Sequence, residues 1–216
     1  MSELFSIQLQ NRQQQGRDGV WLDLPTTTEQ VQAALRQIGI SSDNPQGLFI
    51  SGYFAEEEKR FAIPYNMVLA SNVDELNFLA SRLETLSTGE RAELNAALQA
   101  PQSELFSIGR ITDFPENVDY YVHLPDVHGP AQLGDYYLNR SGMVDMPEEW
   151  KGGIDTAQFG RYVAQQEQGA FTQYGYLVKS GDEWQKVHEG QPVPEEYRVL
   201  SFPAPEVLRD AANIPP

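Results

Sequence analysis

The chain has 216 residues, 40% hydrophobic and 11% aromatic, enough apolar material for one large domain or two to three small ones and too much for disorder over most of the length. Thirty-one acids face fifteen bases, a formal net charge of -16, and a surface of that sign argues against direct binding to nucleic acid or anionic lipid. Cysteine is absent, which removes disulfides, thiolate nucleophiles and cysteine-based zinc sites.

In chain order, Leu4, Phe5, Ile7 and Leu9 alternate around Ser6 and Gln8 and predict a strand. Residues 13–19 form a polar turn, and residues 20–24 predict a second strand that Pro25 ends. Thr26, Thr27 and Thr28 offer an N-cap for a helix with Val31, Ala34, Leu35 and Ile38 on one face, stopped by Gly39. A turn at 44–47 leads into a third strand over 48–54, giving a ββαβ pattern. The acidic run Glu56-Glu57-Glu58 is followed at once by Lys59-Arg60 and reads as a solvated turn or helix start. Residues 70–101 then predict two short helices. The first is capped at Asp74 and carries Leu76, Leu79, Ala80 and Leu83; the second carries Leu94, Ala97 and Leu98 and stops at Pro101.

The third segment opens on a repeat. Ser103-Glu104-Leu105-Phe106-Ser107-Ile108 copies Ser2-Glu3-Leu4-Phe5-Ser6-Ile7, and Tyr121-Val122-His123-Leu124-Pro125 echoes Trp21-Leu22-Asp23-Leu24-Pro25. The order predicts two related β-rich domains around a helical spacer. Further elements are a helix over 132–140, a turn at Gly142, a helix over 155–166 and a strand over 171–179. A pairing strand over 184–187 and a last strand over 197–202 complete the chain's pattern. The expected class is therefore α+β: an elongated chain of three small domains over 1–68, 69–101 and 102–202, with a loose tail at 203–216. Residues 102–216 carry 18 acids and 8 bases, so the contact surface is expected there.

Catalytic chemistry finds little support. His123 and His128 lie five apart around Pro125, without the helical spacing of a metal pair, and no metal or cofactor is expected. No nucleophile elbow or phosphate-binding glycine pattern occurs. Asp145, Glu148 and Glu149 could form an acid–base pair, but carboxylate pairs are common in so acidic a chain. The tyrosines at 120, 121, 136, 137, 174 and 176 lack the basic groove of a single-strand platform and are expected in the core or an interface. The N-terminus has no cationic start followed by an apolar stretch, and no run approaches the roughly 18 apolar residues of a membrane span, so a cytoplasmic protein is expected.

Several stretches, taken together and in order, resemble the ArdA family of antirestriction proteins. They are Gly19-Val20-Trp21-Leu22-Asp23-Leu24-Pro25, Glu29-Gln30-Val31, Leu35-Arg36-Gln37-Ile38-Gly39-Ile40, Val73-Asp74-Glu75-Leu76-Asn77-Phe78-Leu79-Ala80 and Leu133-Gly134-Asp135-Tyr136-Tyr137. Met146-Pro147-Glu148-Glu149-Trp150, Ile154-Asp155-Thr156-Ala157-Gln158-Phe159-Gly160-Arg161, Phe171-Thr172 and Gly175-Tyr176 complete the set. The resemblance covers about residues 4–180. It implies a curved, dimeric, non-catalytic protein that mimics the phosphate backbone of DNA and occupies the DNA groove of type I restriction-modification enzymes. The implied partner-facing acids are Asp119, Asp126, Asp135, Asp145, Glu148, Glu149 and Asp155, and the implied homodimer interface is Trp150, Ile154 and Phe159. Two rival readings are an acidic adaptor for another basic DNA-binding protein or defence nuclease, and a carboxylate-pair hydrolase.

Overall fold

The computed structural model describes residues 3–14, 18–41, 45–56 and 61–200. Parts of the expected turns at 13–19 and 44–47, most of the acidic run with Lys59 and Arg60, the end of the last expected strand and the tail lie outside them. The elements are β1 (Phe5–Asn11), β2 (Val20–Leu24), α1 (Thr28–Gln37), β3 (Leu48–Phe54), α2 (Tyr65–Leu69), α3 (Val73–Glu84) and α4 (Thr88–Gln99). They continue with α5 (Ile108–Thr112), β4 (Tyr121–Leu124), α6 (Pro130–Asp135), α7 (Glu148–Lys151), α8 (Thr156–Glu167), β5 (Ala170–Thr172) and β6 (Gly175–Lys179). The class is mixed α+β, with two three-stranded antiparallel sheets, β2-β1-β3 and β4-β6-β5.

Contacts divide the chain into two compact units. One takes Met1–Thr85, Ser107–Thr112 and His188–Pro216, and the other Leu86–Phe106 and Asp113–Val187. In the first, β1 is the central strand. Its Phe5, Ile7 and Leu9 are buried together with Leu22 and Leu24 of β2 and with Val31, Ala34 and Leu35 of α1, as strand and helix periodicities require. The N-cap of α1 is Thr27, whose side chain and Gln30 form a reciprocal capping box, and Gly39 takes the left-handed φ of +67° that ends the helix. The cap of α3 is Asn72 rather than Asp74, paired with Glu75 in the same motif.

The identical hexapeptides fold differently, which corrects the expectation of a repeated strand. Phe5 is 1% exposed in the middle of a sheet, whereas Phe106 is 64% exposed and no strand forms over 103–108. The residues on the C-terminal side of each copy decide its fate. After Ile7 the alternation continues through Leu9, and β1 pairs on both sides. After Ile108 comes Ile111 at helical spacing, and the Ser107 hydroxyl accepts the Arg110 N–H, starting α5.

In the second unit one core cluster is Val127, Leu133, Ala164 and Tyr176, with Leu124, Tyr136, Tyr137, Val163, Phe171 and Val178 packed against it. The expected helix over 132–140 is α6 continued by a π-helical turn, Tyr136–Arg140. The expected strand over 171–179 is a hairpin, β5–β6, bent where Gly175 has φ +118°. No strand forms over 184–187. Its backbone is held instead by a side chain: Gln185 N–H donates to Asn117 Oδ1 at 2.7 Å, while the Trp184 ring packs edge-on against Tyr120. The last expected strand begins as a 3-10 turn, Glu195–Tyr197, with residues 198–200 outside any sheet.

Helices α6 and α8 pass so closely that side chains are excluded at the crossing. A Cβ at Gly134 would run into the Thr156 carbonyl oxygen, and one at Gly160 into that of Pro130, with the two glycine backbones in direct apposition. Both obstacles are backbone and cannot swing away. Gly134→Ala or Gly160→Ala should each cost about 1–3 kcal/mol or more by overpacking, lowering Tm by about 2–4 °C per kcal/mol. Gly152→Ala, where nothing lies within 4 Å, is the control; thermal melts that leave all three variants level with wild type would contradict the crossing.

Candidate functional site

The second unit carries fifteen acids against six bases. Local structure decides how each acid is held. Asp119 and Asp126 flank β4, on the 3-10 turn before it and in the loop after it, and both are exposed. Asp145 is exposed in the segment that leads to α7. Glu148 and Glu149 occupy the first turn of α7, where the positive end of the helix dipole favours a carboxylate, and both are exposed. Glu148 pairs with Lys151 at 2.8 Å. Asp155 is the N-cap of α8 and accepts the Gln158 N–H at 2.9 Å. Asp135 is half-buried, accepts from Asn139 at 2.8 Å and lies 3.4 Å from Arg140.

Some of these acids are brought near one another. Asp135 and Asp155 each sit one residue from the contact between Gly134 and Thr156, so the α6–α8 crossing places them at the same locus. Asp119 lies close enough to Glu93 of α4 to act on its charge. Of the expected dimer residues, Trp150 is 66% exposed while Ile154 and Phe159 are half-buried.

Two acids that no sequence pattern singles out are set apart by their surroundings. Glu167, the last residue of α8, accepts hydrogen bonds from two tyrosine hydroxyls: Tyr176 at 3.0 Å and Tyr137 through a very short contact. One carboxylate thus ties α8 to the π-helical turn and to β6. Burial, and then the neighbouring Glu167 carboxylate, push both phenols well above their ordinary range, so they stay protonated donors. A cavity of about 170 Å³ lies beside this junction, lined by Pro101, Tyr121, Glu167, Gly169, Leu177 and Lys179 among others. Its one carboxylate is the engaged Glu167, and Lys179 is paired with Glu104 at 2.7 Å.

Glu93 is the second of them. Its Oε1 is buried and accepts no hydrogen bond. Burial first, then the charges of Asp119 and Glu90, push its carboxyl up to about 8. Glu90 is held low by the Ser87 hydroxyl and amide that it caps. Periodicity does not mark Glu93 as buried, since it follows Ala92 on a helix whose apolar face begins at Leu94.

Two of the three histidines use their rings in structural contacts. His123 Nε2 donates to the Tyr174 carbonyl at 2.7 Å, and the His188 ring stands edge-on to Phe78. Among the described residues no group of three or more His, Asp or Glu could hold a metal ion, and no helix is long and apolar enough to cross a membrane.

An α+β scaffold with a buried aromatic core and carboxylates fixed at exposed helix starts defines an acidic protein with an outward-facing charged surface. The chain belongs to the ArdA family: the model for Antirestriction protein (ArdA) matches residues 15–178. Comparison with curated proteins gives no match. The matched stretch contains the Gly134–Gly160 crossing, the Glu167 junction and all seven acids expected to face a partner, and it ends before residues 188–200.

Glu93 makes stability depend on pH in a definite direction. Its carboxyl is raised on folding, so the folded state holds the proton more tightly than the unfolded chain, and the stability this gives is lost as pH rises between about 4.5 and about 8. Glu93→Gln should match wild type near pH 5 and gain in Tm progressively towards pH 8. Parallel Tm–pH curves for the two proteins would contradict this assignment.

Proposed function

We propose that this protein binds and inhibits type I restriction-modification enzymes by presenting carboxylates where DNA would present phosphates. The carrying observation is that Glu148, Glu149 and Asp155 are exposed yet anchored at the starts of α7 and α8, in a chain of the antirestriction family. Duplex DNA carries one charge per roughly 1.7 Å of axis, and a carboxylate held on a folded element can replace a phosphate in neutralising a basic groove without offering a base edge to read. A carboxylate on a loose tail would first have to be ordered, at an entropic cost to binding. Asp119, Asp126, Asp135 and Asp145 extend the array, and Trp150, Ile154 and Phe159 form a homodimer contact that doubles it.

A non-catalytic role is supported by how the acids are employed. The cavity's single carboxylate already accepts from two tyrosines, and Glu93, the carboxyl raised furthest, neighbours the exposed Asp119 rather than a second buried acid. The adaptor reading shares the same surface and differs only in the partner.

Co-expression with a type I system should raise the plating of unmodified phage. The quadruple reversal of Asp135, Glu148, Glu149 and Asp155 to Lys inverts the charge at four positions and should abolish that protection, while leaving the far-UV spectrum of the fold in place. Undiminished restriction in the presence of the wild-type protein, with no complex on gel filtration, would rule the proposal out. Protection that survives the quadruple reversal would move the contact surface elsewhere.

A further inference from the structure

Residues 188–200 lie beyond the family-matched stretch, and residues 197–200 are docked on α3. The contacts are directed mainly at the main chain. One oxygen of Asp74, Oδ1, accepts the N–H groups of both Val199 and Leu200, at 2.7 and 2.8 Å. The Asn77 side chain donates from Nδ2 to the Tyr197 carbonyl at 3.0 Å. Its Oδ1 accepts the Thr26 N–H at 2.7 Å, which fixes the amide so that the donor faces the docked segment.

Side chains alternate along this segment. Tyr197 stacks on Phe78 with ring centroids 4.7 Å apart, Arg198 is exposed, and Val199 is 4% exposed. Tyr197 closes the 3-10 turn and the chain is extended from Arg198, so the segment is read the way a bound peptide leaving a tight turn is read. Hydrogen bonds to the backbone give affinity for any chain in the right conformation, and pockets for every second side chain select an aromatic and then an aliphatic residue. Asp74 is free for this task because Asn72, not Asp74, caps α3.

The residues that do the reading and the segment being read have separate origins in the chain. Thr26, Asp74, Asn77 and Phe78 all lie within the family-matched stretch; the docked segment does not. It is reached through residues 180–194, which form neither helix nor strand and include Gly181 and Gly190 at φ +100° and +78°. Upstream of the docked turn the chain is held by the ion pair of Glu189 with Arg110, at 3.1 Å, and by the His188 ring against Phe78.

We propose that this face of α3 is a peptide-binding site. It takes a segment of a partner protein that leaves a tight turn at an aromatic residue and runs on extended to an aliphatic one two positions later, and residues 197–200 occupy it as a displaceable internal competitor. The site is distinct from the carboxylate surface of the second unit, and its test does not depend on restriction.

The probe is a fluorescently labelled peptide with the sequence of residues 188–200, added to full-length protein and followed by anisotropy. The double variant Tyr197→Ala, Val199→Ser removes both side-chain contacts of the internal segment, weakens it as a competitor, and should bind the peptide at least ten-fold more tightly than wild type. Adding Asp74→Ala to that variant should weaken binding at least ten-fold. A double variant that keeps its far-UV spectrum yet fails to bind overturns the proposal, as does concentration-dependent dimerisation by exchange of the segment without peptide binding. If the double variant does not fold, amide hydrogen exchange of the wild-type protein decides: displacement requires Val199 and Leu200 to exchange at least ten-fold faster than Leu76 and Leu79 of α3. Equal rates, limited by global unfolding, overturn it.

Discussion

The second unit depends on the direct backbone contact of α6 with α8. At Gly134 and Gly160 there is no room for a methyl group, and the opposing atoms are carbonyl oxygens. That closeness lets α8 deliver Glu167 to Tyr137 and Tyr176, so one carboxylate joins a helix, a π-helical turn and a strand. Removing it would leave two phenol hydroxyls without their acceptor, at about 1–3 kcal/mol for each buried one. The same crossing brings Asp135 and Asp155 to one place. The placement of these two acids therefore rests on two residues that have no side chain.

Charge is used in two different ways in this unit. Acids at helix starts sit where backbone N–H groups and the helix dipole stabilise them, and they remain available to a partner. Two of the proposed contact acids carry local cations, Asp135 with Arg140 and Glu148 with Lys151. Exposed pairs of this kind are worth about 0–1 kcal/mol, so a basic groove can outcompete them at little cost. Glu93 is the opposite case, a half-buried carboxyl with one oxygen out of water, near Asp119 and favoured in its neutral form. Its neutrality lowers the repulsion that a surface of net negative charge imposes on its own fold.

Much of the local structure was legible in the sequence. The alternation of Phe5, Ile7 and Leu9 and the helical spacing of Leu76, Leu79 and Leu83 located β1 and α3, because periodicity reports directly on a buried face. The repeated hexapeptide misled for the complementary reason: six residues do not fix a strand when the next few supply a helical spacing and an N–H for the serine inside the copy to accept. Trp184 to Val187 looked like a strand because apolar residues flank polar ones there, yet Asn117, 68 residues away, claims the backbone N–H of Gln185. Side-chain partners at such distances leave no periodic trace.

For the proposed site the sequence offers a list of acids but no arrangement. Nothing in the order of residues says that Gly134 meets Thr156, that Glu93 is shielded while Glu90 is not, or that Asp74 serves the far end of the chain. Those facts depend on contacts formed only in the fold. The central claim is that the surface carboxylates compete with DNA for the groove of a type I enzyme. It is tested most directly by displacing a labelled duplex from the enzyme's DNA-binding core with this protein over a range of salt concentrations. DNA mimicry requires one-for-one displacement, with an affinity for the enzyme that falls linearly in log salt as counterion release dictates. A complex that forms without displacing the duplex, or whose affinity is indifferent to salt, would contradict it.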